Sequence, residues 1–449
     1  MKLFTDLKLK FEQPNWAKNP EFGLIDTILE QHPELLDIVK DEIIGNNKNV
    51  GFGRGDVPSV EQILRAAIYK ELKNLSYREL DYHQEDSRIC ALFLKIDELH
   101  PYSFQMYQKY ISRISSDSLN KLLIELNKIA IQEGFEDLSK IRQDSTVVES
   151  NIHYPTNNSL VWDCIKESHK LLEKLSIEVE GINYRNYLKS AKKTYYKINN
   201  VKGKGKKDKT QELFKNQLII FTKTINNLSN AVKKKSSCSS FKTLKLFFEI
   251  ESFIYICKKV YSQTERKEIK GESVPSSEKI FSIYELHTNI IVKGSREIKF
   301  GHKVDLSGGK SNLILLCRTL NGNVPDSKLY QSALEEIEEN YNRIPISYST
   351  DGGFASKDNM IFAKEKGVKN IVFNKIVGSL KNIVSSKSME TRLKKWRSGI
   401  EAVISNLKRG FDIRRVNWKG FAHFKAKVLW SVIAYNIRVM TGHMLAQFK

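Results

Sequence analysis

The stretch SKIRQDSTVVES, residues 139–150, alternates with the two-residue period of a β-strand. Ile141, Gln143, Ser145 and Val147 fall on one side, and Arg142, Asp144, Thr146 and Val148 on the other. An aspartate weakens a strand interior and is costly to bury without a partner. Asp144 can therefore be a solvated edge residue, a salt-bridged core acid or a metal ligand, and position 144 alone leaves all three open.

Downstream, a helical region is expected from about 159 to 270, after which β patterning returns. KIFSIYELHTNIIVKGS, IKFGHKVDLS and SNLILLCRTLNG read as successive strands separated by Gly/Ser turns. A helix (DSKLYQSALEEIEENY), a strand (IPISYSTDGGF), a short helix (SKDNMIFAKEKG) and a strand (VKNIVFNKI) follow. One long basic helix is expected around 388–410 and a last helix over 420–440. Apart from the helical insertion this order gives an α/β fold, a mixed sheet flanked by helices. Upstream, one helix is predicted around PEFGLIDTILEQHPELLDIVKDEI, then a Gly/Asn-rich loop, GNNKNVGFGRGD. Ser59 with Gln62, and Ser76 with Glu79, have capping-box spacing. Ile63, Leu64, Ala67, Ile68 and Leu72 make an apolar stripe, and helices near 103–114 and 117–132 complete an all-α block. Such a block suits a helix-turn-helix DNA reader or a dimerisation bundle equally.

Charge narrows the partners. The chain of 449 residues carries 73 Lys/Arg against 52 Asp/Glu, a net charge of +21. That excess points to a polyanion, with nucleic acid first and an anionic membrane surface as the competitor. Residues 181–240 hold 15 of the basic residues against two acids. Within them VKGKGKKDK (201–209), with Lys202, Lys204, Lys206 and Lys207, reads as a flexible basic loop. The interleaved aromatics of YRNYLKSAKKTYYK fit a helix lying along a phosphate backbone. FFEIESFIYI and VLWSVIAYNI are too short to span a bilayer, and MKLFTDLKLKFEQ lacks the apolar core of a secretory signal. Five scattered cysteines without a C-x-x-C pair speak against a disulfide framework or a cysteine zinc site and fit a reducing cytosol.

Two further acids resemble Asp144 in setting. Asp351 ends the β-leaning PISYSTD and precedes two glycines, which give a sharp turn and room beside a carboxylate; Asp-Gly-Gly is also an ordinary turn sequence. Glu401 and Asp412 are the only acids among 11 Lys/Arg in residues 391–430, and Arg397 stands four residues before Glu401. An i,i+4 salt bridge is one account of that pair, worth only tenths of a kcal/mol, and a single glutamate in so basic a helix makes it the less attractive one. Three carboxylates of this kind are also hard oxygen donors suited to Mg²⁺, and a metal pair promotes in-line phosphoryl transfer. Glu149 falls on the other strand face from Asp144, Asp305 reads as a turn residue, and His153 and His302 read as structural.

With those residues in view, the chain resembles bacterial insertion-sequence transposases of the DDE type with an InsH-like N-terminal helical domain. VPSVEQILRAAIYKELKNLSYRELDYHQEDSRICALFLKI resembles the N-terminal domain, RQDSTVVESNIHYPTNNSLVW the first-Asp segment, FGHKVDL the second strand and STDGGFAS the second-Asp segment. Many relatives carry a Y-x2-R-x3-E-x6-K signature. Arg397, Glu401 and Lys408 keep its spacing, while Lys394 stands at the tyrosine position. The resemblance implies a ribonuclease-H-like catalytic domain over 133–449, interrupted by an insertion at about 159–275, and a DNA-binding or dimerisation domain over 1–132. It implies Asp144, Asp351 and Glu401 as catalytic and metal-binding residues, with two Mg²⁺ ions that Mn²⁺ can replace. Arg397, Lys408, Lys394 and the four lysines of the basic loop are the expected DNA contacts. Expected partners are double-stranded DNA (terminal inverted repeats and target) and further copies of the chain, in the cytoplasm at the nucleoid and without membrane. An inactive DNA-binding repressor and a hydrolysis-only nuclease are the alternative functions.

Overall fold

The computed structural model describes residue 16 and residues 18–45, 57–97, 100–237, 240–293, 297–376 and 378–447. Most of the Gly/Asn-rich loop expected at 45–56 lies outside them. The chain divides into two compact units, one of residues 1–151 with 291–449 and one of residues 152–290.

The first unit is built on a mixed seven-stranded sheet. β1 (Lys140–Ser150) lies at its centre, antiparallel to β3 (Glu297–Gly308) and parallel to β5 (Ser347–Asp351). β2 (Asn289–Lys293) and β6 (Asn370–Asn374) complete the order β2-β3-β1-β5-β6, with β4 (Ile314–Thr319) on β3 and the two-residue β7 (Arg415–Val416) on β1. A central strand is covered on both faces, so the polar and apolar sides of β1 are both largely buried. Residues 279–288, expected as part of a strand, are irregular, and only their continuation into β2 pairs.

One sheet face packs Ile141, Tyr348, Ile371 and Phe373 against α12 (Tyr330–Tyr341) and α13 (Lys357–Glu365). The other carries Val148, Val304 and Leu306 under α16 (Phe421–Ala446). α16 is apolar nearly all round, with Val428, Trp430, Val432, Ile433, Ile437 and Met440 buried, as a helix enclosed on all sides must be.

Among the described residues the N-terminal part holds seven helices, α1 (Pro20–Gln31), α2 (Glu34–Ile44), α3 (Val60–Leu72), α4 (Tyr77–Asp86), α5 (Arg88–Leu94), α6 (Phe104–Ile111) and α7 (Ser116–Gln132), of which α1, α3 and α7 pack most extensively on α16. The single helix expected over residues 20–43 is thus two, because Pro33 cannot donate into a continuing helix and disfavours helical backbone at His32. Both capping boxes form, at Ser59/Gln62 and Ser76/Glu79. These helices share one apolar core with α16 and are joined to it by buried polar contacts. Asn436 donates to Asn127 (2.9 Å), and Glu71 is held between Lys70 (3.0 Å) and Lys427.

The second unit contains α8 (Asn157–Glu178), α9 (Leu188–Asn199), α10 (Lys206–Val232) and α11 (Phe241–Thr264) around its own core of Leu172, Phe221, Leu228, Phe247 and Ile250. The basic loop is shorter than expected. Lys206–Lys209 are the first turn of α10, which begins after Gly205 in the left-handed region at φ +72°. Only residues 201–205 are non-helical there. Among the described residues four cysteines are free and buried, and no helix is long and apolar enough to cross a membrane.

Candidate active site

The sheet brings Asp144 and Asp351 side by side. β1 and β5 run parallel, and their last registered pair is Gln143 with Thr350, so each aspartate is the next residue of its strand. β5 ends at Asp351 because the chain turns into Gly352–Phe354. Gly352 is required by proximity: a Cβ there would lie 2.6 Å from the carbonyl oxygens of both Asn374 and Lys375 at the end of β6. Its neighbour Gly353 passes Asp326, whose Oδ2 would be 3.1 Å from an added Cβ.

Glu401 arrives from a different element. The long helix expected at 388–410 is two, α14 (Lys387–Arg397) and α15 (Gly399–Gly410), broken at Ser398. Arg142 explains the break. Its guanidinium lies 4.9 Å from the centre of the Trp396 ring, donates to the Trp396 carbonyl (2.8 Å), and comes so near Gly399 that a Cβ there would be 2.2 Å from Nη1. Glu401 sits in the first turn of α15, where the helix dipole favours a carboxylate. Ile400, Val403 and Leu407 anchor that helix in the core.

Arg397, the last residue of α14, joins the three acids. Its Nη2 donates to Asp144 Oδ2 at 2.8 Å and its Nη1 to Glu401 Oε1 at 2.9 Å, while Nη1 lies 3.9 Å from Asp351 Oδ1. The arginine side chain is 7% exposed, against 17% for Asp144, 44% for Asp351 and 62% for Glu401. The cation is therefore on the inside and the carboxylates grade outward. The i,i+4 salt bridge of Arg397 with Glu401 forms, and it is one arm of a larger cluster. Asp144 Oδ1 also accepts from the Ser145 amide at 2.8 Å.

A second polar cluster lies on the opposite side of β1, and the sequence reading missed it. Asp305 is no turn residue. It sits in mid-strand opposite Ser145, fully buried, held by Arg318 (2.6 Å) and by Gln143 (2.9 and 3.0 Å). Burial pushes its pKa up, against the lowering effect of Arg318 and Gln143. Ser145 donates to Asp326 (2.8 Å), which also pairs with Lys303 (2.7 Å). The alternation of β1 carried the signal, since Gln143 and Ser145 are polar between the apolar Ile141 and Val147 of the same face. Glu149 pairs with Arg415, His153 with Asp163, and buried His302 packs on Phe421 and Phe424.

Of the expected DNA contacts, Lys394 pairs with Glu390 at 2.6 Å on α14, and Lys408 lies in the last turn of α15. Lys202, Lys204, Lys206 and Lys207 belong to the second unit and are exposed. Exposed Lys189, Lys192, Lys193 and Lys197 line α9 in that unit, where Tyr195 stacks on Trp162.

Three carboxylates suit a hard divalent ion in donor chemistry. In the present arrangement the Arg397 guanidinium holds the centre, and among the described residues no group of three or more His, Cys, Asp or Glu side chains stands ready for a metal.

Residues 298–437 match the family model described as the transposase DDE domain. That stretch runs from β3 into α16 and contains Asp351, Arg397 and Glu401, while Asp144 lies outside it. No curated protein and no solved structure matches the chain. The mixed sheet flanked by helices is compatible with a ribonuclease-H-like fold. Residues 298–437 are thus similar to a transposase DDE domain, a match over about a third of the chain that supports a DDE-type insertion-sequence transposase.

Proposed function

We propose that the protein cuts DNA at the terminal inverted repeats of its element and joins the freed 3′ ends to target DNA, with Asp144, Asp351 and Glu401 as its catalytic carboxylates. One observation carries this reading: three acids far apart in sequence meet at a single guanidinium, two of them from adjacent parallel strands. An accidental surface salt bridge does not recruit three elements.

Asp144, Asp351 and Glu401 would hold Mg²⁺, or Mn²⁺ in its place, which when bound stabilises charge on a phosphoryl group under attack. The sheet fixes Asp144 within β1 and Asp351 at the end of β5, and α15 presents Glu401 from the side, so the protein supplies preorganised negative charge beside the end of β5. Lys394, Lys408 and Arg397 offer positive charge beside it for the DNA backbone. Cleavage spends one water per phosphodiester and leaves a 3′-hydroxyl. In joining, that hydroxyl oxygen forms a new bond to a target phosphorus while the target's own 3′ oxygen leaves with the proton, so the number of phosphodiester bonds is unchanged. The helices of residues 20–132 and the basic second unit are assigned to DNA-end binding and to pairing of two copies.

The test is a labelled terminal-repeat substrate incubated with the wild type, Asp351→Ala and Asp144→Asn. Cleavage and strand-transfer products from the wild type alone are expected, with DNA binding kept by all three. Equal products from the variants would overturn the assignment. Cleavage without strand transfer would make the protein a hydrolytic nuclease, and binding without any product a repressor.

A further inference from the structure

We infer that Arg397 is an internal counter-cation that holds the DNA-free site shut against metal, and that it is released when DNA is engaged. The inference rests on the assignment of Asp144, Asp351 and Glu401 as metal carboxylates. Arg397 bonds Asp144 and Glu401 within 2.9 Å and approaches Asp351 at 3.9 Å, so one guanidinium touches every member of the set. Charge-assisted bonds of this kind occupy the lone pairs that a divalent ion would need, and they add a positive charge at the point where the ion would sit. The rest of the set is poorly shielded: Glu401 is 62% exposed, and without the arginine three like charges would face one another.

Two details favour release over a permanent structural role. The buried Arg397 Nε has no hydrogen-bond partner, so the guanidinium is not fully satisfied where it stands. Arg397 ends α14 whereas Glu401 opens α15, with the break at Ser398 between them. The end of α14 can therefore withdraw the arginine without carrying the glutamate along. A DNA phosphate offers the same bidentate acceptor geometry as a carboxylate and would draw the arginine off. By linkage, DNA and metal would then each raise the affinity for the other.

Direct Mn²⁺ titration of the full-length, DNA-free protein, read by calorimetry and by the paramagnetic resonance of free Mn²⁺, tests this without any turnover. Arg397→Gln is expected to bind Mn²⁺ at least tenfold more tightly than the wild type, and Arg397→Gln/Asp351→Asn to lose that gain. Arg397→Lys, which keeps the charge but cannot span three acids, is expected to gain about threefold, and it carries the test if a thermal melt finds the glutamine variant unfolded. If neither arginine variant binds Mn²⁺ more tightly than the wild type while Asp351→Asn weakens binding in every background, the counter-cation is refuted and the carboxylates stand. If Mn²⁺ binding ignores Asp351 in all backgrounds, the carboxylate assignment fails and the counter-cation falls with it.

Discussion

At the scale of single residues, the site depends on contacts of opposite visibility. Asp144 and Asp351 stand out in the sequence because a charged residue in a strand, or at its end, breaks the local pattern and asks for a reason. Gly352 reads in the sequence only as a turn glycine, whereas its place is fixed by the Asn374 and Lys375 carbonyls, at and just past the end of β6, that leave no room for a side chain. Gly352→Ala is expected to push Asp351 off its position. Cleavage should fall at least tenfold while the melting temperature drops by only a few degrees, corresponding to about 1–3 kcal/mol of overpacking; a cleavage assay beside a thermal melt checks it. Asp305 was misread because its strand runs on past Gly301 and its partner Arg318 lies on the next strand, out of reach of any local pattern. Its folded pKa is raised above 3.8, so its contribution to stability is fullest below that value and is lost as pH rises through the folded value. Arg318→Met removes the charge that keeps Asp305 from rising further. The variant should lose about 3–5 kcal/mol near neutral pH, as an unpaired buried charge does, and recover much of the deficit near pH 4. Urea denaturation at the two pH values measures this, and a deficit independent of pH would contradict it.

Among the elements, caps were readable and breaks were not. Ser59 and Ser76 announce their helices through side chains three residues apart, a relation contained in the sequence. The break at Ser398 is different in kind. The apolar stripe from Leu393 through Ile400 to Leu407 continues across it, and what interrupts the helix is Arg142, supplied by β1. Arg142 cannot step aside cheaply: it is 2% exposed and bonded to the Trp396 carbonyl and to Asn312. Gly399→Ala should therefore displace the α14–α15 junction, and with it the contact between Arg397 and Asp144. A destabilisation of about 1–3 kcal/mol is expected together with altered Mn²⁺ affinity, whereas Ala402→Gly on the exposed side of α15 should cost about 1 kcal/mol and leave Mn²⁺ binding unchanged. The N-terminal helices make a similar point. Glu71 is buried with Lys70 and Lys427, and although burial alone would raise its pKa, the two lysines hold it below 4.5. Its stabilising effect is present above 4.5 and is lost as pH falls through the lower folded value, so Glu71→Gln should flatten the acid limb of the stability curve.

For the whole molecule, composition was the most informative signal, and it was also the least local. The net charge of +21 points to a polyanion independently of any motif, and 15 basic residues in 181–240 place much of that charge in a separate compact unit. What composition could not supply was the association of the helices α1, α3 and α7 with α16, because that core is assembled from segments far apart in the chain. If the second unit binds DNA, its affinity must follow counterion release, with the logarithm of the binding constant falling by about 0.9 per phosphate contact for each unit of log salt. Lys202, Lys204, Lys206 and Lys207 are well placed for this test because all four are exposed. Lys206 and Lys207 even sit at the positive end of the α10 dipole, where a cation is mildly unfavourable, so their removal should not destabilise the helix. Replacing all four with alanine is expected to leave the melting temperature unchanged and to reduce the salt slope for duplex DNA by about 3–4, in proportion to the lysines in contact. A salt slope equal to that of the wild type would remove these lysines from the DNA interface and leave the binding to other basic residues, such as those on α9 and around α14–α15.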